Sequence, residues 1–151
     1  MVIDHIDREI LRLLLKDSLQ SYKELAAHLK MSATPIYERI KKMETAGIIR
    51  NYTVNLNYSE IDQFMLIFCF ISLKDHTTQS LKLFEETVGL IPEVCDCYLV
   101  SGIYDYQLKV FVKSLDQYQT FLSKLAVMEI IGDTNTVIPL RRVVDNRPLS
   151  I

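Results

Sequence analysis

Ser21 to Arg50 reads SYKELAAHLKMSATPIYERIKKMETAGIIR, and this stretch decides the fold of the first third of the chain. It predicts two helices joined by a tight turn, then a glycine stop and a short strand. Ser21 can cap a helix while Glu24, three residues on, reaches back to its amide, the capping-box pattern. Tyr22, Leu25, Ala26 and Leu29 then recur on one face at helical spacing. Met31 to Ala33 form the turn, with Thr34 as the next cap and Pro35 as the first residue of a second helix. At about 100° per residue, Ile36, Ile40 and Met43 point inward. Thr34, Glu38, Lys41 and Thr45 point the other way, flanked by Tyr37 and Lys42, and Gly47 ends the helix. A bracing helix followed by one with a polar outer face is the design of a helix-turn-helix, whose second helix enters the DNA major groove. An ordinary helical hairpin with a solvated face fits these residues equally well.

Working outward, the preceding helix runs from Asp4 to Asp17. Its buried stripe is Ile3, Ile6, Ile10, Leu13 and Leu14, with Asp7, Arg8, Glu9, Arg12 and Lys16 read as solvated. After Gly47, residues 48–56 alternate polar Asn51, Thr53 and Asn55 with apolar Tyr52, Val54 and Leu56, which predicts a connecting strand. From Gln63 the character changes. Phe64 to Leu73, FMLIFCFISL, predicts a strand buried on both faces. Thr77 to Gly89 is helical, Val94–Ser101 and Tyr104–Val112 are strands about Gly102, Leu115–Val127 is helical, and Thr134–Leu140 is the last strand. Strand, helix, strand, strand, helix, strand is the split βαβ, or ferredoxin-like, plan.

The 151 residues are 49% hydrophobic, enough for one ordinary domain or two small ones. No window approaches the roughly 20 apolar residues of a membrane span, and the N-terminus lacks a signal design. Three cysteines argue against a disulfide scaffold, and the expectation is a cytoplasmic protein. Net charge is −2, but residues 1–50 balance at +2 and residues 51–151 at −4. A mildly basic head on an acidic body suits two domains with different partners.

The chain resembles the Lrp/AsnC family, the leucine-responsive and asparagine-responsive (feast/famine) regulators. The resemblance rests on Ile6-Asp7, on Met31-Ser32-Ala33-Thr34-Pro35 with Glu38-Arg39-Ile40, and on Gly47-Ile48-Ile49 and Tyr52-Thr53. It continues through Tyr98-Leu99-Val100-Ser101-Gly102 with Tyr104-Asp105-Tyr106, and Asp133-Thr134-Asn135-Thr136. Three positions depart from the pattern. Lys30 stands where a turn glycine is usual, Asn57-Tyr58 replaces Asn-Pro in the linker, where Asp62 stands near the glycine place, and Ile103 replaces an often polar loop residue.

The resemblance implies an α+β chain. A winged-type helix-turn-helix domain of three helices (residues 1–50) would be joined by a linker strand (51–62) to a ferredoxin-like βαββαβ domain (63–151) for oligomerisation and effector binding. The residues expected to meet DNA are Ser32, Thr34, Tyr37, Glu38, Arg39, Lys41 and Lys42. Glu38 could accept from cytosine and Lys41 donate to guanine. Arg39 lies toward the buried side, where a salt bridge to an acid of the first helix competes evenly with a phosphate contact. Ser101, Gly102, Ile103, Tyr104 and Asp105, with Thr134 and Thr136, resemble the effector site. An α-amino acid would offer its ammonium to acceptors there and its carboxylate to amides and hydroxyls. On the residues alone, a plain hairpin turn explains the loop as well.

The expected function is transcriptional regulation modulated by a small amino acid. The partners are double-stranded DNA, the effector, and a homodimer assembling into a tetramer, octamer or larger ring, with no membrane. No catalytic residue, metal site or cofactor is expected, because no nucleophile, metal cluster or phosphate loop is visible. Cys69, Cys95 and Cys97 with dispersed His5, His28 and His76 fall short of a tetrahedral metal set. Two alternatives stand: an enzyme of the same architecture resembling sirohaem decarboxylases, and a ligand-independent architectural DNA binder.

Overall fold

The computed structural model describes residues 2–54 and 56–144, with backbone alone for Tyr58 and Ser59. Asn55 of the alternating segment and the tail from Asp145 lie outside them. The chain divides into two compact units, of which the second is Leu56–Val143.

The first unit holds α1 (His5–Lys16), α2 (Tyr22–Leu29) and α3 (Ala33–Thr45). Each of the first two opens on a reciprocal cap. Asp4 Oδ1 accepts from Asp7 N–H at 2.8 Å while Asp4 N–H donates to Asp7 Oδ2 at 3.1 Å. Ser21 N–H donates to Glu24 at 2.7 Å and Glu24 N–H returns to Ser21 Oγ at 3.3 Å. The third helix begins earlier than its sequence predicts: its cap is Ser32, not Thr34, and Pro35 is the third helical residue rather than the first. The first-turn amides have no helical partner, so a proline is tolerated at either place.

The helix ends are a matched pair. After α2, Lys30 N–H donates to Ala27 O at 3.3 Å and Met31 N–H to Ala26 O at 2.9 Å. After α3, Gly47 N–H donates to Glu44 O at 3.0 Å and Ile48 N–H to Met43 O at 2.9 Å. Both are Schellman turns, which require a left-handed residue. Gly47 adopts it at φ 69° without penalty, whereas Lys30 adopts φ 54° and ψ 43° with a Cβ. The core is small: Ile10, Leu25, Ala26, Ile36, Ile40 and Met43 are buried, with Ile6, Leu13, Leu14 and Leu29 packed at its edge.

Two expectations fail in this unit. Asp7, read as solvated, is buried at 2% exposure. Residues 48–54 form no strand, and Tyr52, Val54 and Leu56 leave the apolar side of the segment exposed. A strand needs a neighbour to satisfy its backbone, and among the described residues none is offered. A one-turn helix, α4 (Tyr58–Ile61), follows where no helix is predicted.

The second unit contains β1 (Met65–Leu73), α5 (Thr78–Val88), β2 (Val94–Leu99), β3 (Tyr106–Val112), α6 (Leu115–Ala126) and β4 (Ile131–Val137). The sheet is antiparallel in the order β2-β3-β1-β4, the ferredoxin-like arrangement. β4 lies three residues earlier than predicted. Its predicted end, Pro139-Leu140, includes a residue with no N–H to offer a ladder.

β1 is not buried on both faces. Ile67, Cys69, Ile71 and Leu73 face α5 and α6 and are buried with Tyr106, Leu108, Val110 and Val112 of β3. Phe84 and Val88 of α5 and Tyr118, Phe121 and Leu125 of α6 complete that core. The alternate residues Leu66, Phe68 and Phe70 are half-buried on the opposite face. An apolar run predicts burial but cannot say which molecule supplies the cover.

Candidate functional site

The outward face of α3 carries the residues expected at DNA. Ser32, Thr34, Tyr37, Glu38, Lys41 and Lys42 are all exposed, opposite the buried Ile36, Ile40 and Met43. Ser32 caps the helix by backbone alone, which leaves its hydroxyl available. Tyr37 is fixed by an edge-on contact with Tyr22 at 5.3 Å between ring centres, and Lys41 Nζ lies 6.0 Å from the Tyr37 ring.

Glu44 is a participant that the sequence reading overlooked. Lys41 Nζ donates to Glu44 Oε2 at 2.6 Å, and Tyr52 Oη donates to Glu44 Oε1 at 3.0 Å. The Glu44 contact raises the Lys41 ammonium above its ordinary range, while Lys41 and then Tyr52 hold the Glu44 carboxyl low. To reach a base, Lys41 would first have to leave Glu44, a small cost for an exposed helical pair. Spacing of three residues could have found this pair; the Tyr52 contact, eight residues off, could not.

Arg39 does not join the exposed set. Its guanidinium turns inward, with Nη1 2.6 Å from Asp4 Oδ2 and 2.7 Å from Asp7 Oδ1. Asp7, then Asp4, holds the guanidinium charged, and the Asp7 amide, then Arg39, lowers the Asp4 carboxyl. The salt bridge occupies Arg39, which braces α3 against the start of α1.

In the sheet unit, the turn between β2 and β3 presents Ser101, Gly102 and Ile103 to solvent, and Ile103 is 87% exposed. Gly102 sits at φ 141°, a conformation that L side chains rarely adopt, and an added Cβ would meet nothing within 4 Å. Intolerance there is a matter of backbone strain, not of space. Tyr104 packs on Phe70 at 5.6 Å, on the open face of the sheet.

Asp105 fastens the stem. Its Oδ2 accepts from Leu73 N–H at 2.7 Å and its Oδ1 meets His76 Nε2 at 2.8 Å. The Leu73 amide, then His76, lowers its pKa, and burial opposes them. Ser72 Oγ donates to Ile103 O at 3.3 Å. Ser72 and His76 are contributors that the sequence reading did not single out.

The two threonines stand apart from this turn. Thr134 and Thr136 are in register with Ile71 and Cys69, so they share the helix-packed face. The Thr136 hydroxyl is bonded to the Tyr118 hydroxyl of α6. Among the described residues, no group of His, Cys, Asp and Glu is arranged to hold a metal ion. Cys69 is buried, its thiol pushed up to about 11 by that burial, while Cys95 lies at a register shift in β2 and Cys97 pairs with Leu108 just beyond it. No helix among the described residues is long and apolar enough to cross a membrane.

Comparison with known proteins agrees with both units. Residues 3–50 match the winged helix-turn-helix DNA-binding family, and residues 66–149 match the Lrp/AsnC ligand binding domain. The leucine-responsive regulatory protein of Escherichia coli is 34% identical over 150 residues, covering 99% of this chain and 92% of that protein. An AsnC family transcriptional regulator from Agrobacterium tumefaciens superposes with a TM-score of 0.89 at 32% identity, covering 97% of this chain and 95% of that one. AsnC of E. coli superposes with a TM-score of 0.90 at 27% identity over the whole of both chains. With a DNA-binding helical unit and a ligand-binding sheet unit in the family's order, the chain belongs to the Lrp/AsnC family of transcriptional regulators.

Proposed function

We propose that residues 1–50 bind operator DNA through α3, that residues 51–62 connect, and that residues 63–151 assemble the protein and bind a small amino acid that modulates DNA binding or assembly. The observation that carries this reading is the amphipathic division of α3. Ile36, Ile40 and Met43 are buried against α1 and α2, and every candidate DNA residue except Arg39 lies on the exposed side. A cytoplasmic location is proposed with it, as the compartment in which a regulator of this kind would meet chromosomal DNA. The relatives are named as regulators, and residues 63–151 hold a single histidine, His76, which disfavours a tetrapyrrole-handling enzyme.

A dimer should bind an imperfect palindrome with half-sites about one helical turn apart, and affinity should fall steeply with salt. In a mobility-shift assay, Lys41→Ala should weaken binding in a sequence-dependent way and Lys42→Ala roughly uniformly. Equal binding by the double variant and the parent overturns the reading.

Assembly is proposed through the open sheet face, where Leu66, Phe68 and Phe70 lie beside Gln107, Lys109 and Phe111 of β3. The exposed apolar side of residues 52–56 supports the same reading, since a second copy could cover it. Light scattering that finds a folded monomer at micromolar concentration overturns it.

The effector site is proposed at a subunit junction around Ser101, Gly102, Ile103, Tyr104 and Asp105. Thr134 and Thr136 lie across β1 from this turn, on the helix-packed face, and Thr136 is already bonded to Tyr118, so Thr134 alone is kept as a candidate hydroxyl. Exposed Ile103 gives the site an apolar wall, and the E. coli relative is named for its response to leucine. A leucine or methionine type of side chain is therefore favoured over asparagine or lysine. Calorimetry with the parent, Gly102→Val and Thr134→Val checks this. Tightest binding of a polar amino acid, or undiminished binding by Gly102→Val, counts against it.

A further inference from the structure

The carboxylate at the base of the proposed effector turn is already in use. Asp105 N–H donates to Ile71 O and Asp105 O accepts from Val100 N–H, each at 2.8 Å, so the backbone there is pinned to β1 and to the residue that follows β2. Of the carboxylate oxygens, Oδ2 is turned to the Leu73 amide in the sheet, at 2.7 Å. The other, Oδ1, is met by His76 Nε2 at 2.8 Å. His76 stands on the connection between β1 and α5 with its side chain 65% exposed, so the ring can swing away at little packing cost. Asp105 itself is 21% exposed.

We propose that His76 gates Asp105: its imidazole occupies the carboxylate oxygen that an α-ammonium group needs, so proton uptake by His76 opposes amino-acid binding. This rests on the reading of residues 101–105 as the effector site. A neutral imidazole N–H can be exchanged for an ammonium N–H at small net cost, one hydrogen bond replacing another. An imidazolium holds the same oxygen through a charge-assisted bond. If displaced, it also remains as a positive charge beside the arriving one, which like-charge repulsion disfavours. Histidine is the side chain whose charge ordinarily changes between about pH 5 and 8.

The neighbouring charges do not alter this sign. Asp75, the preceding residue, places its carboxylate on the Thr77 amide and hydroxyl at the start of α5, and the His76 charge is the smallest of the influences on it. Lys74 precedes it, and Asp133 stands opposite Ser72 in the β1–β4 register. None of them displaces His76 from its 2.8 Å contact. Linkage is reciprocal, so a bound amino acid must lower the proton affinity of His76 by the same factor that the proton lowers amino-acid affinity.

The experiment titrates L-leucine, L-methionine and 4-methylpentanoate (the leucine skeleton without its amine) into the full-length parent, His76→Gln and Asp105→Asn by calorimetry. It spans about pH 5.5 to 8.5, with circular dichroism as a check on folding. NMR follows the His76 ring in the parent samples. In the parent, amino-acid affinity should rise about fivefold or more with pH, the lower end of typical coupling, and leucine should lower the midpoint of the His76 ring. His76→Gln should bind with a flat profile, at least as tightly as the parent at the acid end, and Asp105→Asn should bind weakly throughout. 4-Methylpentanoate should show no such rise. A pH profile that is the same in His76→Gln and the parent overturns the gate and leaves the effector reading standing. So does uniformly weaker binding by His76→Gln, which would make the ring a ligand contact and not a competitor. A folded parent that binds neither amino acid at any pH overturns the effector reading, and the gate with it.

Discussion

The two units of this chain are held by different means. Among the described residues, the sheet unit buries fourteen in one apolar cluster spanning β1, β3, α5 and α6, whereas the apolar cluster of the helical unit buries six. With less apolar area to remove from water, the helical unit relies more on directional contacts: two reciprocal caps, two Schellman turns and the Asp4–Arg39–Asp7 cluster. The difference teaches that the smaller unit should be sensitive to changes of charge and backbone that the larger one absorbs, and insensitive to none of them by virtue of size.

The largest expected effect is in the sheet unit. Phe121 is fully buried, and Phe121→Ala should cost about 3–5 kcal/mol by lost transfer energy and the cavity left behind. Denaturant unfolding followed by near-ultraviolet and far-ultraviolet signals should show the sheet unit's transition moving ahead of the helical one's. Next comes Asp7→Ala. It removes a carboxylate with 3% exposure from a guanidinium that is itself 30% exposed, and should cost about 2–3 kcal/mol, below the full range for a dry pair. Asp4→Ala, at the solvent end of the same cluster, should cost less than Asp7→Ala, mostly through its cap. If the two variants are equally destabilised, the cluster acts as a surface ion pair and the contrast between the units weakens.

How much of this was legible in the sequence depends on the range over which each signal acts. Ile36, Ile40 and Met43 announce the inner face of α3 because helical periodicity is local, and the βαββαβ order follows from runs and turns of the same kind. The burial of Asp7 is invisible to periodicity, since its reason is Arg39, 32 residues away. The open face of β1, the missing strand at residues 48–54 and the helix-packed side of Thr136 all depend on what lies across a sheet or in another molecule. The candidate site divides in the same way. The outer face of α3 follows from local periodicity and the Ser101–Asp105 turn is proposed from the resemblance, whereas the contacts of Tyr52 with Glu44, Ser72 with Ile103 and His76 with Asp105 arise only once the chain is folded.

A smaller effect compares the two Schellman turns. Lys30→Gly should stabilise the helical unit by about 1 kcal/mol, because it relieves a left-handed residue of its Cβ clash. Gly47→Ala should destabilise it by about as much. Thermal unfolding of the two variants should move in opposite directions; a destabilised Lys30→Gly would show that the lysine side chain compensates for its strain.

The smallest effect concerns acid. Asp4 and Glu24 in the helical unit, and Glu93 and Asp105 in the sheet unit, have folded pKa values below their unfolded ones. For each, the contribution to stability is present above the unfolded value, near pH 4 for ordinary carboxyls, and is lost as pH falls through the folded value. Both units should therefore weaken below about pH 4, the helical one first because its core is smaller. Far-ultraviolet circular dichroism across that range should show helix lost before sheet, and simultaneous loss would mean that the units unfold as one.

The strand order has a consequence for synthesis of the chain. β1 lies between β3 and β4, so Phe68 must wait for Val137, made roughly 70 residues later. At about 5–20 residues per second this is roughly 4–14 s of translation. The three helices of the helical unit, finished by Thr45, can fold on the ribosome in that interval. β1 meanwhile carries an apolar segment with an unpaired edge, the kind of nascent species that aggregates or recruits chaperones. Polypeptides released between residues 75 and 130 should thus carry a folded helical head on an insoluble body.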